Sequence, residues 1–313
     1  MKAKHVIIYL LLVIVTSSCI RDEAPNAEAD ILSCRLPGIT MTTSPIINNN
    51  SVTLFVTPGT NISALAPEFT LTSGATITPA SGTERNFNSP QEYQVTAADG
   101  IWKKTYAISV IDTELATIYN FEDTISGKKY YIFVERENDK VIMEWASGNA
   151  GYAMTGVAKT ADDYPTFQIA NGKNGKCLSL VTRSTGFFGG LVGMPIAAGN
   201  LFIGSFDVNN AMSNPLQATK FGLPFRHVPT YLAGYYKYKA GDQFTEGGKP
   251  VEGKRDICDI YAIMYETSVS VPTLDGTNAF TSPNLVSMAR IKDAKETDEW
   301  TYFKLPFTTL PGK

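Results

Sequence analysis

Between Gln91 and Val110 the chain carries its most constraining pattern. Tyr93, Val95 and Ala97 alternate with polar neighbours, Asp99 and Gly100 supply a turn, and Tyr106, Ile108 and Val110 alternate on the return. A period of two sends every apolar side chain to the same side of an extended backbone, so this segment predicts an antiparallel hairpin with one buried face. No stretch beyond residue 19 sustains a 3.6-residue repeat for more than a couple of turns. Instead 25 Gly and 17 Pro cut the chain into short segments rich in its 15 Tyr and 16 Phe. The sequence therefore reads as all-β.

Around the hairpin, Val52 to Thr57 and Phe69 to Thr72 are further strand signals, and residues 34–112 read as a small immunoglobulin-like β-sandwich. Trp102, beside the turn, reads as an aromatic at the rim of that sandwich. From Glu114 the strands become longer and more aromatic. Strands are predicted at Thr117 to Phe121, Lys129 to Arg136, Val141 to Ala146, Phe167 to Ile169, Cys177 to Val181, Asn200 to Phe206, Tyr231 to Tyr238 and Ile257 to Glu266. Eight such strands over residues 113–313 suggest a jelly-roll β-sandwich, a fold whose concave face suits a sugar chain.

The N-terminus has a separate meaning. Lys2 and Lys4 precede an apolar run from Val6 to Val15, and Thr16, Ser17 and Ser18 lead into Cys19. The run is shorter than the ~20 residues of a spanning helix. It resembles a bacterial lipoprotein signal over residues 1–19, with Cys19 as the lipid-carrying residue after cleavage; Thr16 departs from the larger aliphatic residue commoner there. Ile20, Arg21, Asp22 and Glu23 resemble the surface-export tether of Bacteroides lipoproteins. Residues 20–33 read as a flexible tether. The protein is expected to be lipid-anchored at the outer membrane and to face the cell exterior.

Composition excludes several chemistries. A net charge of -3 with no long basic run argues against nucleic acid as a partner. Cys34, Cys177 and Cys258 are widely spaced and lack a CxxC pair, so neither a disulfide framework nor a zinc site is indicated. Of two histidines, His5 lies in the signal and His227 alone remains. That disfavours a transition-metal centre and a serine/histidine triad.

Several blocks in the second half carry a family resemblance. They are Phe121-Glu122, Trp145-Ala146-Ser147-Gly148-Asn149, Gly151-Tyr152-Ala153, Tyr164-Pro165-Thr166, Lys176 to Leu180, Pro195 to Phe202, and Leu232 to Tyr238. Together, over about two hundred residues, they resemble the "putative carbohydrate metabolism domain" of Bacteroides lipoproteins. The resemblance implies a jelly roll behind an Ig-like module and a role in carbohydrate handling. It also implies a further pair of strands and an acidic segment beyond Trp300 to Phe307, where this sequence stops at Lys313, so an open sheet edge is expected.

Sugar recognition needs flat apolar faces and planar polar groups. On a strand Tyr231 to Tyr238, Tyr235 and Lys237 share one face while Tyr236 and Tyr238 share the other, and alternation does not say which is outside. In Ile257 to Glu266, Asp259, Tyr261 and Tyr265 share a face. Tyr235, Lys237, Asp259 and Tyr261 are thus the candidate carbohydrate contacts, against the plainer reading of tyrosines in packing. Trp145 reads as core. Glu122 stands where similar carbohydrate-binding jelly rolls hold a structural calcium; a solvated glutamate is the other reading. Gly186, Gly189, Gly190 and Gly193 flank Phe187 and Phe188 in a predicted loop, either a turn cluster or the rim of a groove. No other cofactor is indicated.

Glycosidic hydrolysis requires two carboxylates about 5 Å or 6.5–9.5 Å apart. No Glu-x-Asp-x-Glu triplet occurs, and Asp256 and Asp259 are three apart, on opposite faces of a strand. Glu135, Glu144, Asp259 and Glu266 could converge only through the fold. The sequence thus favours a surface lipoprotein that binds an oligo- or polysaccharide without cleaving it, with a glycoside hydrolase as alternative and a structural or assembly subunit as a second.

Overall fold

The structure is a computed structural model and describes residues 25–268 and 270–313. The signal segment and the lipidation candidate Cys19 lie outside the described residues. The fold is all-β, as expected.

Seven strands build the N-terminal unit: β1 (Ile31–Arg35), β2 (Ile46–Ile47), β3 (Ser51–Phe55), β4 (Glu68–Leu71), β5 (Thr76–Thr78), β6 (Gln91–Thr96) and β7 (Lys103–Ile111). Five form a sheet in the order β2-β3-β7-β6-β5, and β1 pairs with β4 in a second. The hairpin forms as its alternation demands. Tyr93 faces Tyr106 across β6 and β7, and Val95, Ile108 and Val110 are fully buried between the sheets. Asp99 closes the turn by accepting the backbone N–H groups of Ile101 and Trp102. Trp102 stays 63% exposed at that end.

β3 runs parallel to β7, with Val52 beside Ile108 and Leu54 beside Val110. A parallel pair needs a long crossover, here the passage through β4, β5 and β6. Ala29 and Ile31 are buried in the same core as Val52 and Tyr93, so packing begins several residues before Cys34, inside the segment read as tether.

The second unit contains β8 (Val134–Glu137), β9 (Lys140–Ala146), β10 (Thr166–Ile169), β11 (Cys177–Leu180), β12 (Arg183–Ser184), β13 (Ile196–Ala197), β14 (Phe202–Phe206), β15 (Thr219–Phe221), β16 (Tyr231–Tyr238), β17 (Thr245–Glu246), β18 (Lys249–Pro250), β19 (Tyr261–Tyr265), β20 (Leu285–Arg290), β21 (Thr297–Pro306) and β22 (Thr308–Thr309). A four-stranded sheet runs β15-β14-β9-β8, and β19-β20-β22 form another. Tyr265 of β19 joins them by donating its hydroxyl to the Phe221 carbonyl of β15. β21 pairs with β16 and then continues past Phe307 into β22, which pairs with β20.

Several expectations fail locally, and the strand expected from Lys129 begins only at Val134. Thr117 to Phe121 is not a strand. Phe121 adopts φ 56°, its carbonyl accepts from Gln168 Nε2 at 2.7 Å, and its ring packs 5.5 Å from that of Trp145. Aromatic packing replaces ladder pairing there. The glycine-rich segment around Phe187 is a short helix, Gly186–Leu191, rather than a loop. β19 is also shorter than predicted, because its ladder with β20 begins at the pair Tyr261 and Arg290.

Three of the sequence blocks, Trp145 to Asn149, Tyr164 to Thr166 and Pro195 to Phe202, meet in one buried knot. Asn149, fully buried, donates from Nδ2 to the Thr166 carbonyl at 2.7 Å and accepts the Thr166 N–H on Oδ1 at 3.1 Å. The Thr166 hydroxyl donates to the Asn200 carbonyl, and Asn200 Oδ1 accepts the Gly148 N–H at 2.7 Å. A Cβ on Gly199 would sit 2.5 Å from the Pro165 carbonyl oxygen. These blocks hold β9, β10 and β14 together and are structural in role.

Candidate functional site

β16 resolves the alternation left open by the sequence. Tyr231, Ala233, Tyr235 and Lys237 face solvent, while Leu232, Gly234, Tyr236 and Tyr238 are partly buried. Gly234 is required on the inner side, where an added Cβ would come 3.0 Å from the Phe303 ring. Tyr235 is 48% exposed and Tyr231 53%.

β21 extends the same outward face. Tyr302 is the register partner of Tyr235, and their ring centroids lie 5.2 Å apart. Lys304 opposes Ala233, and its Nζ sits 4.0 Å from the Tyr231 ring centroid. Lys237 Nζ is 5.4 Å from the Trp300 ring, and Lys173, from the loop joining β10 and β11, places Nζ 4.3 Å over Tyr235. Each ammonium thus rests on an aromatic face, an attraction that holds ring and amine in register. The pattern Tyr-x-Lys occurs on both strands, as Tyr235-x-Lys237 and Tyr302-x-Lys304. Sequence analysis found only the first, since β21 has large apolar residues on both faces and no polar alternation to mark it.

Behind the same loop lies an open groove of about 490 Å³, lined by Tyr131, Asp162, Phe167, Gln168 and Lys176. Tyr131 donates its hydroxyl to Asp162 Oδ1 at 3.0 Å. Burial pushes the Cys177 thiol up, with Glu122 adding to the rise and Lys237 opposing it.

Tyr261 belongs to β19, in the sheet β19-β20-β22, and Asp259 just precedes it. Arg290 binds both oxygens of Asp259, and Tyr261 packs 5.0 Å from Phe280. Among the described residues no hydrogen bond or ion pair links them to Tyr235 or Lys237.

Glu122 is engaged in structure. Its Oε1 accepts the Lys176 N–H at 3.0 Å, and its backbone carbonyl accepts from Gln168. Among the described residues no group of three or more His, Cys, Asp or Glu side chains gathers to hold a metal ion. His227 pairs with Glu114 at 2.8 Å, and Cys34, Cys177 and Cys258 are free thiols.

Of the acids that could serve catalysis, Glu135 has the most distinctive setting. Its Oε1 accepts the Trp145 indole N–H at 2.8 Å, and Tyr119 packs edge-on to Trp145 at 5.0 Å. Burial pushes the Glu135 carboxyl above the usual range, against the Trp145 hydrogen bond, and neighbouring Asp123 adds to the rise. Glu144 occupies the next strand but the opposite face, since it pairs with Val134 while Glu135 pairs with Met143.

The fold and this strip of solvent-facing tyrosines and lysines define an all-β protein with an aromatic surface, and comparison with known proteins places it in a family. Residues 120–313 match the family described as "Putative carbohydrate metabolism domain", and the chain belongs to it. Residues 31–110 match the family described as "SGBP, N-terminal". A crystal structure described as a putative glycoside hydrolase from Bacteroides thetaiotaomicron is 85% identical, with 94% of this chain and 86% of that one covered, at a TM-score of 0.90. A second, described in the same words from Bacteroides vulgatus, is 48% identical over 61% of this chain and 78% of that one, at a TM-score of 0.57. No curated protein matches the chain.

Proposed function

We propose that this protein is a cell-surface lipoprotein that binds glycan on the outward face of β16 and β21, in the service of carbohydrate acquisition. Lipid on Cys19 would hold it at the outer membrane, with the N-terminal unit as an immunoglobulin-like spacer. The observation that carries this reading is the solvent-facing array of Tyr231, Tyr235 and Tyr302, between about half and 55% exposed, the first two each beneath an ammonium group and the third packed against Tyr235. Rings displayed this way offer flat faces to the C–H side of a sugar, and the amines offer donors to its oxygens. The family match supports a carbohydrate ligand, and the "SGBP, N-terminal" match supports a surface-associated protein. Affinity electrophoresis in gels containing neutral and acidic polysaccharides tests it. Retardation in at least one gel, lost in Tyr235→Ala and in Tyr302→Ala variants that melt like the parent, is expected; unretarded migration in every gel overturns the reading.

A second reading, glycoside hydrolysis, is favoured by one observation: Glu135 combines a raised carboxyl with a second acid, Asp123, in an aromatic setting. A pair of carboxyl groups, one of them held above its ordinary value, is what that reaction uses. The descriptions of the two Bacteroides structures point the same way. Release of reducing ends from a bound polysaccharide, abolished by Glu135→Gln, would establish it.

A further inference from the structure

Resting on the glycan-binding reading above, we infer that the ligand of this face is an acidic glycan, one bearing uronate carboxylates or sulfate esters along its chain. The inference comes from charge. Lys173, Lys237 and Lys304 are all exposed, all sit on rings of the same sheet face, and none has a carboxylate partner among the described residues. Other exposed cations do have carboxylate partners, as Arg35 has with Glu68, Lys254 with Glu246 and Arg255 with Glu296.

Among the described residues none of the nearby carboxylates forms an ion pair with these three amines: Glu122 accepts the Lys176 N–H, and Asp298 and Glu299, at the start of β21, bridge to no lysine. Lys176 adds a fourth cation at the foot of the same loop.

Geometry makes the charge selective rather than diffuse. Tyr231 and Tyr235 are four residues apart on β16, about 13 Å along a strand. Lys304 stands over the first ring and Lys173 over the second, so two cations are spaced along one line of two stacking faces. A neutral sugar chain would offer those ammonium groups only uncharged hydroxyl oxygens. A chain with an anion on successive or alternate units would offer both a charged acceptor, so that each hydrogen bond joins two ions. The carbohydrate-family match and the absence of a long basic run favour a glycan over nucleic acid as the polyanion.

The test compares polymers matched in backbone: polygalacturonate with its methyl-esterified form, and dextran sulfate with dextran, by isothermal titration and affinity electrophoresis. The variants are Lys173→Gln/Lys237→Gln/Lys304→Gln and Tyr235→Ala/Tyr302→Ala. Binding at least tenfold tighter to one charged member of a pair, reduced to the level of its neutral counterpart by the lysine variant and lost in the tyrosine variant, is the expected result; the pair that responds identifies carboxylate or sulfate. Equal binding of charged and neutral members, lost only in the tyrosine variant, would overturn the acidic inference while leaving glycan binding intact. Charged binding that survives the tyrosine variant would overturn it as mere polyelectrolyte attraction. Failure of all four polymers to bind would overturn both readings.

Discussion

Arg290 grips Asp259 through two nitrogens, Nε at 3.0 Å from Oδ1 and Nη2 at 2.7 Å from Oδ2. The same guanidinium lies 4.3 Å from the Phe280 ring centroid, which fixes its plane. A carboxylate held in both oxygens by a fork has little left with which to meet a sugar hydroxyl. Asp259→Asn is therefore expected to leave glycan affinity unchanged in titration. Because both partners are well exposed, the stability loss in urea melts should be no more than about 1 kcal/mol.

The first strand is fastened by a comparable cluster that can be read by pH. Lys104 Nζ lies 2.5 Å from Asp30 Oδ1, and the Tyr106 hydroxyl donates to the same oxygen at 2.9 Å. The Lys104 hydrogen bond holds the Asp30 carboxyl below its ordinary value of 3.8, against burial and with help from Tyr106. A depressed carboxyl releases its proton more readily when folded, so its stabilisation is present above the ordinary value and is lost as pH falls through the folded one. Asp30→Asn should cost about 0.5–1 kcal/mol at pH 7 after screening, and nothing once the parent carboxyl is protonated. Urea melts of parent and variant at pH 7 and at pH 2 check this.

The knot around Asn149 predicts a larger loss. Asn149→Ala would strip the buried Thr166 N–H and carbonyl of their partners at once. Unpaired buried polar groups cost about 1–3 kcal/mol each, so a loss of ~3 kcal/mol or more is expected, with the melting transition falling by several degrees. Gly204→Ala should be at least as severe, since Gly204 in β14 has φ 141° and its added Cβ would lie within bonding distance of the Lys220 carbonyl oxygen. Differential scanning calorimetry measures both.

What was legible in the sequence follows from which side chains alternate. β6 and much of β7 could be read because polar and apolar residues alternate, β16 because tyrosines crowd it, and β9, β10 and β14 because β-branched and aromatic residues cluster between turn signals. β21 could not, although it is ten residues long, because Trp300, Phe303 and Leu305 put bulk on both faces. Half of the proposed site lies on that strand and on the loop carrying Lys173, so Tyr235 and Lys237 were visible while Tyr302, Lys304 and Lys173 were not. The blocks carrying Asn149, Thr166 and Asn200 were legible as a resemblance, and their reason, a buried hydrogen-bond knot across gaps of 17 and 34 residues, appears only in three dimensions.

Glu135 separates the two functional readings through stability. Its carboxyl is raised by burial, so the folded protein holds that proton more tightly than the unfolded chain does. The sign is then opposite to that of Asp30: stability is greatest below the ordinary glutamate value of 4.5 and falls as pH rises through the folded value. Glu135→Gln keeps an oxygen for the Trp145 indole N–H and removes the buried charge, so it is expected to melt higher than the parent at pH 7 and equally at pH 4 or below. Functional acids are often kept at such a cost to stability. A stabilised variant that has lost cleavage of a bound polysaccharide would make Glu135 the acid of a hydrolase. A stabilised variant that binds glycan like the parent, with no cleavage by either, would leave catalysis without its best-placed carboxylate and the outward face of β16 and β21 as the working surface.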